Sequence, residues 1–91
     1  MTNPLRHTGD SANVAYYAEE NGPVWAAVLR SASERRNGKI VAKRPDYHVT
    51  VYRAGVGEVA RVRYTPKTRP RTERLPERTV TRLVREALAE S

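Results

Sequence analysis

Ninety-one residues with 17 Lys and Arg against 10 Asp and Glu make one small basic domain of net charge +7. Apolar residues are 38% of the chain, with no Phe and a single Trp; this is low for a globular domain but too high for a wholly disordered one. The lack of cysteine excludes a disulfide framework, a thiolate nucleophile and a cysteine-based zinc site, and no apolar run approaches the roughly 20 residues of a membrane span.

In chain order, residues 1–10 lack any periodicity and read as a flexible N-terminal tail ahead of a single domain over 11–91. Ser11 is placed to cap a short helix running to about Glu20, with Ala15, Tyr17 and Ala18 turned inward. Asn21-Gly22-Pro23 breaks the chain, and Pro23 is preorganised to start a second helix. Val24, Trp25, Val28, Leu29 and Ala32 then fall at helical spacing, with Arg30, Glu34 and Arg35 on the far side. Asn37-Gly38 is expected to end this helix, Gly38 taking the left-handed position after it.

Beyond Gly38 the period changes to two. Lys39–Lys43, Tyr47–Arg53 and Glu58–Thr65 read as three strands. A loop at 54–57 suggests that Val51 faces Ala60, Val49 faces Val62 and Tyr47 faces Tyr64 on one apolar side. The other side then receives Tyr52 with Val59, Thr50 with Arg61, and His48 with Arg63. A turn at Pro45-Asp46 would join the first of these strands to the second. Residues 66–78 contain three prolines and five basic residues, and read as an exposed Arg/Pro connector. Pro76 and Glu77 open a last helix to about Ala89, with Val80, Leu83, Val84, Ala87 and Leu88 as its apolar stripe. The expected fold is α+β: a three-stranded antiparallel sheet with helices packed on one face, in the order α-α-β-β-β-α.

The charge is unevenly spread. Residues 1–34 carry two basic and four acidic side chains, whereas residues 35–91 carry fifteen and six. A basic field of this kind suits a polyanion. The strand register gathers Lys43, His48, Thr50, Tyr52, Arg61 and Arg63 on one sheet face, where phosphate would relieve the repulsion of the cations and an aromatic ring could stack on a base. The connector adds Lys67, Arg69, Arg71, Arg74 and Arg78, which could follow a phosphate backbone. A plain solvated face, its cations discouraging edge-to-edge aggregation, is the competing account. The expected partner is nucleic acid, DNA or RNA, or else an acidic protein surface; a homodimer is plausible for so short a chain, and no membrane contact is expected. The carboxylates show no metal-ligand spacing and the glycines no phosphate loop, so neither a metal nor a cofactor is expected. Arg outnumbers Lys by fourteen to three, which suggests a GC-rich genome, actinobacterial or phage, and the polar N-terminus fits a cytoplasmic protein.

His48, in Pro45-Asp46-Tyr47-His48, is the histidine placed inside a strand and the candidate for acid–base chemistry. The run from Val24 to Glu90, read as helix, three strands, helix, resembles in topology the double-stranded-RNA-binding domain, and its use by the small HicA toxins. That resemblance implies RNA cleavage with His48 as the catalytic histidine. The family's Gly-Ser-His type motif is absent, the connector is longer, and residues 1–22 are additional. Three functions follow: a noncatalytic nucleic-acid-binding regulator, a protein-binding subunit of a larger assembly, or a HicA-like ribonuclease.

Overall fold

A computed structural model describes residues 2–66 and 74–90, with the backbone alone over 31–36 and 39–45. Five strands run β1 (Leu5–Ser11), β2 (Val14–Glu19), β3 (Val24–Arg36), β4 (Lys39–Arg53) and β5 (Gly57–Tyr64), followed by helix α1 (Glu77–Glu90). They form one antiparallel sheet in sequence order, each strand paired with the next. This overturns the expected three-stranded sheet and the order α-α-β-β-β-α, although the α+β class stands. Residues 5–10, expected in a tail, and Ser11, expected to cap a helix, form an edge strand whose Leu5 is fully buried.

The largest correction concerns residues 24–36. Val24, Ala26 and Val28 face the core, while Trp25, Ala27 and Leu29 lie on the opposite side. With small or apolar residues on both sides, the alternation that marks a strand disappears and a helical spacing emerges by coincidence. Asn37-Gly38 is a two-residue hairpin turn with Arg36 opposite Lys39 and both turn residues at positive φ (51° and 78°). That backbone is the preferred hairpin geometry for an Asn-Gly pair. The left-handed conformation expected at Gly38 is present, joined by Asn37, but it closes a hairpin rather than capping a helix. Residues 11–20 likewise enter strands, divided by a tight turn in which Ala12 sits at φ 49°.

The β4–β5 pairing carries Val51 opposite Ala60, Thr50 opposite Arg61, Val49 opposite Val62, His48 opposite Arg63 and Tyr47 opposite Tyr64, as the alternation predicts. A bulge at Val59 then moves Tyr52 opposite Glu58. Pro45-Asp46 is no turn. The ladder instead jumps from Ser31–Asp46 to Ser33–Ala42, leaving Lys43, Arg44 and Pro45 opposite Ala32. Pro45 has no N–H to give the ladder, which explains an irregularity there. Beyond it β3 and β4 continue as a two-stranded arm. At about 3.3 Å per residue, the 13 residues of β3 match the long dimension of a molecule measuring 45 × 24 × 24 Å.

Helix α1 closes the inner face. Val80, Leu83, Val84 and Ala87 bury against Val24, Ala26, Val28, Val49 and Val51, with Leu5 and Tyr17 completing the core. A second stripe of the helix secures the sheet edge. Glu77 Oε2 accepts the backbone N–H of His7 at 2.7 Å, Thr81 Oγ1 that of Leu5 at 2.9 Å, and Arg85 donates to the carbonyl of Thr2 at 2.7 Å. Residues 77, 81 and 85 lie four apart and so share one helix face. They satisfy polar groups of β1 that β2 does not reach, and an edge that would otherwise invite another strand is covered. The opposite flank of the helix meets β5, where Arg82 lies over the Tyr64 ring.

Candidate nucleic-acid interface

Among the described residues no helix lies over the outer sheet face. At its centre Trp25 and Tyr52, directly paired across β3 and β4, stack with ring centroids 4.1 Å apart and an interplanar angle of 12°. Tyr16 and Ala18 of β2 and Ala27 of β3 share that side, as does Leu29, which is 45% exposed; Trp25 is 36% exposed. Cross-strand placement on a twisted sheet brings these side chains together, so the aromatic platform is a product of register.

His48, Thr50, Arg61 and Arg63 meet around a shallow hollow of about 230 Å³. Both arginines are answered by acids. Arg61 forks onto Glu58 at 2.8 and 3.0 Å. Arg63 donates to Asp46 at 2.8 Å, and Thr65 donates to the other oxygen at 2.6 Å. Hydrogen bonds from Arg63 and then Thr65 pull the Asp46 carboxyl down from 3.8 to about 2. His48 Nε2 stands 3.6 Å from the same carboxylate. The crowding expected of neighbouring cations is thus relieved inside the face, by two acids that the alternation pattern leaves out. The Arg61–Glu58 pair is exposed, so it holds weakly and can exchange for a phosphate.

Tyr52 joins Trp25 rather than the hollow. Lys43 lies on the arm, with its side chain outside the described residues, as are Lys67, Arg69 and Arg71 altogether. Arg74 does not extend an open basic track: its guanidinium contacts Asp10 and His7 at 3.3 Å. Beside it Leu75 is buried and accepts the Tyr17 hydroxyl at 2.7 Å, so this end of the connector is anchored to the core. Arg78 is exposed on the first turn of α1.

The two-stranded arm joins residues expected in a helix, Arg35 and Arg36, to the expected strand Lys39–Lys43. Residues 34–45 hold Arg35, Arg36, Lys39, Lys43 and Arg44 against Glu34 alone. Arg36 and Lys39 flank the terminal turn, and Arg35 pairs across to Ile40. An Asn-Gly dipeptide between basic residues was the available signal.

The topological likeness to the double-stranded-RNA-binding domain fails, because its first helix is strand β3 here. No family model, curated protein or solved structure matches the chain. What defines it is a five-stranded antiparallel meander, closed on one face by a helix and prolonged by a basic arm. Among the described residues no cluster of acids and histidines could hold a metal, and no helix is long and apolar enough to cross a membrane.

Proposed function

We propose that this protein binds nucleic acid without catalysis, using the β3–β4 arm as its electrostatic probe and the outer face as a stacking platform. The observation that carries the reading is the arm, a hairpin continued past the sheet whose residues 34–45 hold five basic side chains and one acidic. A two-stranded ribbon is narrow enough to enter a duplex major groove, and its cations would displace counterions from phosphate. The Trp25–Tyr52 stack offers a flat apolar surface on which an unpaired base can lie, and Arg61 and Arg63 stand on β5, the strand next to Tyr52, on the same face.

Fluorescence anisotropy with single- and double-stranded DNA and RNA at two salt concentrations tests this. Arg35→Glu/Arg36→Glu should weaken binding by at least about tenfold and flatten its salt dependence, each lost phosphate contact removing roughly 0.9 from the log–log slope. Trp25→Ala should lower affinity for single strands more than for duplex. Equal and weak binding by the wild type and both variants would sink the proposal.

A second reading is an acidic protein partner seated on the outer face. Exposed Leu29 and Trp25 on one face of β3, with Ala27 between them, favour it, since protein interfaces are rich in such anchors at their centre. It would gain from a folded protein that ignores every nucleic acid at low salt.

A further inference from the structure

A second cavity, of about 270 Å³, opens on the inner side of the sheet where α1 does not reach. Its geometry follows from register. Arg30 of β3 sits directly opposite Tyr47 of β4, so both side chains share the core-facing side. On the other flank the backbone N–H of Arg30 donates to the carbonyl of Asn13 at 3.0 Å, which places the turn before β2 at the rim. Ala15, Val28 and Leu75 give the cavity an apolar wall.

Two buried polar atoms in this cavity lack partners: Arg30 Nε and the Tyr47 hydroxyl. Tyr47 is 1% exposed, so its hydroxyl has little recourse to bulk water. Arg30 is half-buried, and no carboxylate of the described residues pairs with it. The acid that lines the same cavity, Asp10, is engaged by His7 at 3.0 Å and by Arg74 at 3.3 Å. A buried guanidinium N–H and a buried hydroxyl that both lack partners are costly to fold. Native proteins retain such groups where something else completes them.

We infer that this cavity binds a small organic anion. A carboxylate or phosphate would accept from Arg30 Nε–H and Tyr47 O–H, and a small apolar body would lie against Ala15, Val28 and Leu75. The volume falls just below the roughly 300–1,000 Å³ of drug-sized ligand sites, so the occupant is a compact molecule. The site lies on the inner face and does not depend on nucleic-acid binding by the outer one.

Titrating the full chain with benzoate, phenyl phosphate and inorganic phosphate, while following the Arg30 Nε–H resonance by NMR, tests the assignment directly. Benzoate or phenyl phosphate should shift that resonance saturably at millimolar concentrations and raise the melting temperature. Inorganic phosphate should bind at least about tenfold more weakly, because it leaves the apolar wall unused. Tyr47→Phe keeps the ring and removes the orphan hydroxyl. It should fold at least as stably as the wild type without ligand, yet bind benzoate about tenfold more weakly, and Arg30→Gln should weaken binding further. Equal binding of all three anions would overturn the apolar half of the site. No shift at Arg30 Nε–H with any of them, or shifts that persist unchanged in both variants, would overturn the site itself.

Discussion

The two faces of one sheet have opposite characters. The inner face is closed by α1, with Val24, Ala26, Val28, Val49 and Val51 packed against Val80, Val84 and Ala87, each of them 4% exposed or less. The outer face carries side chains of comparable bulk, Trp25, Leu29 and Tyr52, and among the described residues no element covers them. Its charges are balanced locally, Arg61 by Glu58 and Arg63 by Asp46. One face therefore spends its apolar surface on stability and the other keeps it available. Substitutions on the two faces should accordingly separate folding from binding.

The largest effect belongs to the inner face. Val84→Asp would bury an unpaired carboxylate at a fully buried position; desolvation costs several kcal/mol, against a total stability of about 5–15 kcal/mol for a domain. Loss of the cooperative thermal transition by circular dichroism is expected, and a retained sharp melt would contradict the packing described. Tyr17→Phe comes next. It strands the Leu75 carbonyl that accepts the Tyr17 hydroxyl, at a cost of about 1–3 kcal/mol by denaturant unfolding. Burial also pushes the Tyr17 phenol up to about 12, so spectrophotometric titration should find one tyrosine ionising well after the exposed ones.

On the outer face the order reverses. Trp25→Ala should lower stability by only about 0.5–1.5 kcal/mol, the worth of an aromatic pair, while costing about 1–3 kcal/mol in single-strand affinity. A variant that unfolds without losing affinity would erase the distinction between the faces. Acid provides a finer probe. Asp46 has its folded value depressed from 3.8 to about 2, so the stabilisation it gives is present above about pH 4 and lost as pH falls toward 2. Asp46→Asn should flatten that part of the stability profile. Glu77 contributes with the same sign, lowered chiefly by the His7 backbone N–H. The smallest effect is expected from Glu58→Gln, which frees Arg61 and should change stability within about 0.5 kcal/mol while tightening any phosphate contact.

The parts of this fold visible in the sequence are those where a single face is apolar. β4 and β5 alternate cleanly because Arg61 and Arg63 mark the solvent side, and α1 shows its stripe because arginines mark the outer one. β3 hid its alternation because Trp25, Ala27 and Leu29 make its solvent side apolar as well. The property that obscured the strand is the one that makes the face a candidate site. The connector misled for a related reason: Leu75 among prolines and arginines looks solvated, yet it anchors the core beside Tyr17.

Charge, the terminal helix and the β4–β5 register from Tyr47 to Val51 follow from the order of residues alone, because each depends on neighbours along the chain or across one short loop. Whether Asn37-Gly38 caps a helix or turns a hairpin does not, since the positive φ it supplies suits both. That choice was made by long-range pairing, which places β3 between β2 and β4 and buries Val24, Ala26 and Val28 under α1. The Trp25–Tyr52 stack, the acids that answer Arg61 and Arg63, and the pairing of Arg30 with Tyr47 all descend from it. Each joins residues whose proximity no local period encodes.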